Sequence, residues 1–263
     1  MKKLCCLLSS LVLAGSAFFW NGCGGTVLSD EGLARQAGSQ FDQMKKRERI
    51  STNAAHNAMI RRIGKRITDV AEVDVPGTEW EFVVFQKSEP NAFAMPGGKV
   101  GVNTGLITLS GGNEDEVAAV IGHEIAHVAF RHSNKRMSQA IGLALGGVVL
   151  NSAMRNKSKK DRQIARGVYG AGATLGVALP FSRSQEREAD HRGLYYAAMA
   201  GYDPRASVSF WKKMQAKSKS KMPEFLSTHP DSGNRIEFLQ TNMDRALALY
   251  REAKAARGEK PNP

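Results

Sequence analysis

The stretch from Asn113 to His132, NEDEVAAVIGHEIAHVAFRH, limits the possible folds of this chain more than any other. Its apolar residues recur at the spacing of one helix face, which predicts an amphipathic α-helix. Asn113 has the side chain of a good N-cap, and Glu116 stands three residues later, where it can complete a capping box. The sequence therefore predicts a well-started helix in the middle of the chain.

The same helix carries the motif His-Glu-Ile-Ala-His at residues 123–127. Residues four apart on an α-helix differ by about 40° in direction, so His123 and His127 leave one face, one turn apart. Two nitrogens at that spacing can hold a tetrahedral zinc ion. Glu124 stands on the rim of this face, where its carboxylate can take a proton from water. The pattern predicts a catalytic zinc site that still needs a third protein ligand.

Two nearby candidates for that ligand are excluded by their positions. A metzincin would continue with a glycine and a histidine directly after His127, whereas this chain has Phe130 and Ser133 in that register. His132 lies five residues past His127, about 140° round a continuous helix, so it cannot complete the same tetrahedron. The third ligand must come from another segment.

The segment FSRSQEREADH, residues 181–191, offers that ligand. Glu186 and Asp190 are four residues apart and share a helix face. Glu186 can therefore bind the metal while Asp190 accepts the N–H of a ligand histidine and fixes its tautomer. Glu188 points about 200° away from Glu186 and is expected to face water or a neighbouring arginine.

The chain is strongly basic, with 37 Lys and Arg against 25 Asp and Glu and a net charge of +12. Such a charge favours an anionic neighbour, either nucleic acid or lipid headgroups. Residues 1–22 favour the second, because two lysines followed by an apolar run too short for a membrane span predict a signal peptide. An exported chain is not expected to bind nucleic acid, so the expected anionic partner is a membrane surface.

Residues 20–23, WNGC, resemble the lipoprotein box, in which the cysteine is lipidated and becomes the mature N-terminus. Gly22 fits this pattern and the two residues before it depart from it, so cleavage near Ala17 without lipidation stays open. Lipidation at Cys23 predicts a periplasmic protein anchored to the outer membrane. The mature chain would then hold no second cysteine and no intrachain disulfide.

These boundaries divide the chain into a signal peptide at 1–22, a linker and helix at 23–50, a catalytic domain at 51–250 and a polar tail at 251–263. Helical periodicity dominates the domain, from a helix capped by Ser51 to a last helix through residues 236–247. The run from Trp80 to Phe85 has the composition of a strand. The expected class is therefore α+β, mostly helical with a small sheet, and residues 258–263 are expected to be disordered.

A polypeptide substrate is expected to bind beside Asn91 and the strand from Lys99 to Thr104. A glycine in this strand permits close approach of another backbone, and an edge strand can pair with an extended peptide. The expected contacts are Val100, Gly101, Val102 and Asn103. An ordinary hairpin with a loose edge is the alternative.

Two stretches rich in glycine and alanine, Ala140–Leu150 and Val168–Leu179, flank a basic connector at residues 155–166. Both stretches are shorter than a membrane span. They predict a buried or interfacial helical hairpin, with two re-entrant segments as the alternative. The connector holds six Lys and Arg against one Asp, so it is expected to lie against anionic lipid.

Four motifs in order, NAFAMPGGKVGVNTGL, HEIAH, SQEREADHRG and THPDSGNR, resemble the zinc metallopeptidases of peptidase family 48, which include the HtpX, CAAX-protease and Oma types. The resemblance runs from about residue 50 to residue 245. It implies a gluzincin core with a small sheet. It also implies one zinc ion held by His123, His127 and Glu186, with Glu124 as the general base.

The resemblance places the loop THPDSGNR, which contains His229 and Arg235, beside the metal. A metalloprotease needs a hydrogen-bonding group near the oxyanion of the transition state, and His229 can supply it. Alternatively, His229 caps the zinc and keeps the enzyme latent. Arg235 is expected to orient the loop.

Together these features predict a zinc-dependent endopeptidase of the bacterial cell envelope that cleaves misfolded or unassembled envelope polypeptides. The alternative is a latent or non-catalytic chaperone or assembly factor that uses the same groove. A purely structural zinc site fits poorly, because such sites are closed by four ligands that are usually cysteines.

Overall fold

A computed structural model of the chain describes residues 29–163, 181–219, 222–230 and 233–262. The predicted signal peptide, the predicted lipidation site at Cys23 and the apolar stretch from Val168 to Leu179 lie outside the described residues. Nearly all of the helical and strand segments expected from the sequence lie inside them.

The described residues form a mostly helical α+β fold with one small sheet, as predicted. The strands are β1 (Glu81–Phe85), β2 (Ala92–Met95) and β3 (Lys99–Asn103). The helices, in chain order, are α1 (Asp30–Arg47), α2 (Ala54–Ala71), α3 (Thr104–Leu109), α4 (Glu114–Ala129), α5 (His132–Ala153), α6 (Arg183–Met199), α7 (Arg205–Ser218), α8 (Glu224–Thr228), α9 (Arg235–Thr241) and α10 (Met243–Ala256).

Helices α4 and α6 pack closely because glycines meet at their crossing. A Cβ on Gly193 would lie 2.6 Å from the backbone nitrogen of His123, and one on Gly122 would lie 2.7 Å from the carbonyl oxygen of Gly193. Side chains at these two positions would hold the helices apart. The crossing lies at the level of the first motif histidine, so it sets the distance between α4 and the acidic residues of α6.

The sheet joins one face of this helical core. Val100 and Val102 of β3 are fully buried and belong to the same apolar cluster as Ile63 and Ile67 of α2 and Ile121 of α4. The strands are only four or five residues long, so most of the buried apolar surface lies between helices.

The strand order is β1-β3-β2, with β1 and β3 parallel and β2 and β3 antiparallel. The prediction that Lys99–Thr104 forms an edge strand is therefore wrong, because β3 is the central strand and both of its edges are paired. The predicted substrate contacts Val100, Gly101, Val102 and Asn103 are buried within the sheet. The edge on that side of the sheet belongs to β2.

The glycine of β3 serves packing rather than substrate approach. A Cβ on Gly101 would lie 2.3 Å from the ring of Phe93 and 2.9 Å from that of Phe85. The two rings stack above it with centroids 6.2 Å apart, and Phe41 of α1 meets both edge-on. Gly101 therefore makes room for the aromatic cluster that fastens α1 to this face of the sheet.

Several helix boundaries differ from the predictions in detail. Asn113 caps α4 as predicted, but Glu116 does not close a capping box, because its carboxylate binds Lys213 and Ser209 of α7. Helix α2 is capped by the side chain of Asn53 instead of Ser51. The single last helix is divided at Asn242 into α9 and α10.

The C-terminal residues pack against the domain. Helix α10 continues to Ala256, past the predicted domain boundary at 250. The backbone N–H of Asn262 donates to the Tyr250 hydroxyl at 3.0 Å, and Lys254 pairs with Glu259 at 2.7 Å. The prediction that residues 258–263 are disordered is therefore wrong for residues 258–262, because their polar groups bind back onto α10.

Helix α5 contains the first of the two predicted hairpin stretches. Leu145, Val148 and Val149 on this helix are 58%, 68% and 64% exposed, so of the two predicted locations, buried or interfacial, the buried one is wrong for this arm. Among the described residues, no helix combines the length and the apolarity needed to cross a membrane.

Candidate metal centre

Four buried side chains from three helical segments converge on one point. His123 and His127 come from α4, Glu186 from the first turn of α6, and His229 directly follows α8. Their potential ligand atoms all lie within 4.8 Å of one another. The structure thus brings together the three predicted ligands and the histidine of the predicted loop.

The distances within this cluster fit a tetrahedral zinc ion. Bond lengths of 2.0–2.1 Å place the ligand atoms of such an ion about 3.3–3.4 Å apart. The Nε2 atoms of His123 and His127 are 3.0 Å apart, and they lie 3.5 and 3.3 Å from the Glu186 carboxylate. His229 Nδ1 lies 3.3 Å from His123 Nε2 and 3.1 Å from Glu186 Oε1. Nitrogen and carboxylate donors are also the ligands that zinc prefers, so the cluster fits one zinc ion.

Asp190 lies beside the first histidine of the motif. Its Oδ1 is 3.0 Å from His123 Nδ1, but that nitrogen has no hydrogen-bond partner among the described residues, so the predicted hydrogen bond from the ligand imidazole stays a prediction. Burial opposes protonation of His123, but Asp190 and Glu186 outweigh it and raise the His123 pKa to about 9. A metal ion must displace that proton, because zinc binds the neutral imidazole.

Arg235 lies behind the acidic side of the cluster. It is only 1% exposed, its Nε donates to Asp190 Oδ2 at 2.5 Å, and its Nη2 donates to Glu186. Its guanidinium also stacks over the Trp211 ring at 3.8 Å. Arg235 thus holds both carboxylates, which is a more specific task than the predicted orientation of a loop.

Hydrogen bonds from the surrounding imidazoles keep Glu186 ionised. Burial alone would raise its pKa, but contacts with His123, His127 and His229 lower it far below the ordinary value. The pKa of His127 is also lowered well below the ordinary value, by burial and by the nearby histidines, and for an imidazole this favours the neutral form. A charged carboxylate beside a neutral imidazole is the protonation pattern that a zinc ion requires.

Glu124 faces the cluster without being part of it. It is 2% exposed, and its Oε2 accepts the backbone N–H of Ala94, in β2, at 3.2 Å. Oε1 lies 3.3 Å from His229 Nε2 and has no hydrogen-bond partner among the described residues. Burial raises the pKa of Glu124, which makes its carboxylate a stronger proton acceptor than an exposed one.

His132 was excluded as a ligand, and it is not one of the four converging groups. It nevertheless lies directly behind His127, with the two Nδ1 atoms 2.8 Å apart. Its other nitrogen lies 2.9 Å from Glu188, so that half-exposed carboxylate contacts a buried histidine as well as the water it was predicted to face. Sequence reasoning missed this contact because it assumed one continuous helix through residue 132.

Asn91 precedes the strand that borders the site. It is 9% exposed, its carbonyl oxygen accepts the N–H of Asn103, and its side-chain Oδ1 has no partner among the described residues. Of the predicted substrate contacts, Asn91 is therefore the one that lies next to the free edge of the sheet.

Comparison with known proteins agrees with this geometry. A sequence profile of Peptidase family M48 matches residues 54–243. The chain is 36% identical over 183 residues to the mitochondrial metalloendopeptidase OMA1 of Arabidopsis thaliana, covering 69% of this chain and 36% of that protein. It is 36% identical to the OMA1 of Schizosaccharomyces pombe, with coverages of 69% and 51%.

A bacterial relative shows the same extent of similarity. The beta-barrel assembly-enhancing protease of Escherichia coli is 33% identical over 187 residues, covering 67% of this chain and 37% of that protein. The chain thus spans between about a third and a half of the length of the relatives it matches. The matched region contains every residue of the four-group cluster, and the chain belongs to peptidase family M48.

Proposed function

We propose that the chain is a zinc-dependent endopeptidase of the bacterial cell envelope that cleaves misfolded or unassembled envelope polypeptides. The observation that carries the peptidase proposal is the position of Glu124. Its carboxylate has one oxygen fixed by Ala94 and the other free beside the zinc-binding cluster. A purely structural metal site has no use for such a group.

Zinc, when bound, polarises the scissile carbonyl and lowers the pKa of water. Glu124 then takes a proton from water on its free oxygen and passes it to the leaving amine. The Ala94 N–H holds the other oxygen, so the carboxylate keeps its direction during both transfers. Asp190 and Arg235 hold His123 and Glu186 in place around the cluster.

The substrate backbone is expected to pair with β2 instead of β3. The outer edge of β2 faces Glu124, as the contact from Ala94 shows. A groove of about 200 Å³ continues from the end of β2 between helices α1 and α5. It is lined by Leu33, Gln36, Ala37, Gln40, Ala94, Met95, Pro96, Ser133 and Met137. These features support an extended polypeptide substrate whose backbone adds a strand to the sheet.

The position of His229 supports a regulatory role for this residue. Its Nδ1 lies close enough to the other three groups to serve as a fourth ligand of a bound zinc ion, in the position that a catalytic site would keep open for water. We therefore favour the capping role over oxyanion stabilisation for this arrangement. In the capped form the enzyme is latent, and removing the imidazole by His229→Ala should raise cleavage of an unfolded protein. A fall in kcat with zinc retained would instead support the oxyanion role.

The envelope location rests on the leader pattern and on the name of the bacterial relatives. The exposed apolar residues of α5, followed by the basic connector, support contact with an anionic membrane surface. Lipidation of Cys23 would add an anchor. Cell fractionation of Cys23→Ser tests this: a shift from the membrane to the soluble fraction supports anchoring, and an unmodified mature N-terminus near residue 18 by mass spectrometry contradicts it.

The peptidase proposal is tested by Glu124→Gln. This variant should lose cleavage of an unfolded model protein such as casein by about 10³-fold or more, because the proton acceptor is gone. Its zinc content and circular dichroism should match the wild type, because Glu124 is not a ligand. Glu114→Gln, at the partly buried start of the same helix where Glu114 pairs with Arg62 away from the cluster, is the matched control and should keep full activity. Loss of zinc in the Glu124 variant would show that its role is wrongly assigned.

The same pair of variants separates the peptidase from a chaperone. A chaperone that uses the groove would prevent aggregation of an unfolded protein equally well with Glu124→Gln. If the chain is a peptidase, the unfolded protein should stay intact with Glu124→Gln and be cleaved by the wild type and by Glu114→Gln.

A further inference from the structure

His132 is fully buried against the zinc ligand His127. Their Nδ1 atoms are 2.8 Å apart, their ring centroids are 4.9 Å apart, and the rings are inclined by 71°. This inclined arrangement directs a nitrogen of one ring at a nitrogen of the other. The contact is a hydrogen bond in which one ring donates and the other accepts.

The second ring nitrogen of His132 contacts a residue at the protein surface. His132 Nε2 lies 2.9 Å from Glu188 Oε2, and the Glu188 side chain is 50% exposed. Glu188 stands two residues after the ligand Glu186 on α6. A chain of three side chains therefore leads from the metal cluster through the protein to solvent.

A sharp break between two helices brings His132 to this position. Helix α4 ends at Ala129, and Arg131 adopts the left-handed conformation with φ 56° and ψ 34°. Among the described residues it is the one non-glycine residue with positive φ. That conformation is unfavourable for a residue with a Cβ, so contacts with neighbouring residues are expected to stabilise it.

The first helix of the fold provides that support. Arg131 Nε donates to Asp30 Oδ1 at 3.0 Å, and Asn134 Nδ2 donates to the same oxygen at 2.6 Å. Asp30 begins α1, which lies outside the part of the chain matched by the family profile. The turn that places His132 is thus in direct contact with the N-terminal helix.

The hydrogens along this chain can be assigned in one consistent way. His127 Nε2 faces the cluster, so a neutral His127 that binds zinc carries its hydrogen on Nδ1 and donates it to His132 Nδ1. His132 then has its own hydrogen on Nε2 and donates it to Glu188. Each ring nitrogen then either donates or accepts one bond, and the series of contacts ends at the Glu188 carboxylate, which accepts.

We propose that His132 and Glu188 form a positioning relay for the zinc ligand His127. His132 accepts the Nδ1–H of His127 and so fixes the ring orientation and the tautomer that direct Nε2 at zinc. Glu188 keeps His132 in the accepting tautomer. The relay rests on zinc being the metal of the cluster, but it does not depend on which substrate is cleaved.

The test compares two substitutions of His132 with opposite properties. His132→Asn keeps an acceptor close to the position of Nδ1, whereas His132→Phe keeps the ring shape and removes the acceptor. The relay predicts that the Phe variant weakens zinc binding by roughly 10–100-fold and that the Asn variant stays within a few-fold of the wild type. A packing role predicts the reverse order, because Phe fills the site better than Asn. Zinc affinity is measured by competition with a fluorescent chelator, and folding by circular dichroism.

A surface variant keeps the proposal testable if both core variants fail to fold. Glu188→Ala should weaken zinc binding about 3–10-fold, a smaller share of the loss expected for a broken outer contact. Glu237→Ala, an exposed glutamate on α9, is the matched control and should bind zinc like the wild type. An unchanged zinc affinity in Glu188→Ala would show that Glu188 does not belong to the relay.

A spectroscopic measurement checks the tautomer directly. In the zinc-loaded full chain labelled with ¹⁵N-histidine, His132 should show a protonated Nε2 and an unprotonated Nδ1. A protonated Nδ1 would overturn the relay. If the wild type binds no zinc, the metal assignment fails; if it binds zinc and His132→Phe binds equally well, the relay alone fails.

Discussion

The two histidines of α4 are one turn apart, but the protein supports them in different ways. His123 is backed by Asp190 and Arg235, which form a fully buried charge network. His127 is backed by His132 and then by Glu188, which reaches the solvent. One side of the metal cluster is therefore held by buried charges, and the other by neutral rings that end on an exposed carboxylate.

This difference has a physical consequence. Buried charges interact strongly, but each depends on its partner, because an unpaired charge in the interior is very costly. Neutral imidazoles have no such cost, and the exposed end of their chain is screened by water. We therefore expect the Arg235 side to determine the stability of the site and the His132 side to adjust the direction of one ligand.

The largest expected effect comes from breaking the buried network. Arg235→Ala removes one of the two buried cations beside Glu186 and Asp190 and leaves only His123, so the metal-free protein should lose about 3–5 kcal/mol of unfolding free energy. Urea unfolding in the presence of a chelator measures this loss. Arg245→Ala, an exposed arginine on α10, is the control and should change stability by less than about 0.5 kcal/mol. Equal stabilities of the two variants would remove the proposed contrast between the two sides.

The next effect separates two glutamates of the same helix. Glu186→Gln removes a zinc ligand and should weaken zinc binding by about 100-fold or more, which is roughly 2.7 kcal/mol. Glu188→Gln keeps an amide oxygen that can accept from His132, so its affinity should stay within a few-fold of the wild type. Both are measured by chelator competition. The opposite ranking would exchange the roles of the two residues.

The smallest expected effect is the energetic coupling between the two sides. Asp190→Asn and Glu188→Ala act on different histidines through contacts that share no residue. Their effects on zinc binding free energy should add to within about 0.5 kcal/mol in the double variant. A larger coupling would mean that the two supports act as one network through the metal cluster.

The sequence predicted the parts of the site that lie within one helix. The spacing of His123 and His127 follows from the helical repeat, and that of Glu186 and Asp190 follows in the same way. The structure brings all four residues close together. Asn113 also caps its helix as predicted, because capping involves only neighbouring residues.

Contacts between segments were predicted less well. The continuous-helix assumption hid His132, because Arg131 is not a glycine and gives no sequence signal of a left-handed turn. The alternation in β3 predicted a strand but could not assign its neighbours, and Gly101 was interpreted as a site for substrate when it makes room for two phenylalanine rings. The capping box predicted for Glu116 was also wrong, because its carboxylate accepts from Lys213 of another helix, a contact that the local spacing does not show.

The sequence by itself determined the helix, and it predicted the candidate ligands and the candidate proton acceptor, because these predictions depend on residue type and on spacings of one helical turn. Only the tertiary structure decided that Gly122 and Gly193 bring α4 and α6 into contact at the metal site. It alone placed β3 in the centre of the sheet, His229 beside His123 and Glu186, and His132 behind His127. The physical reason is that local spacing fixes directions within an element, whereas distances between elements follow from how their surfaces pack.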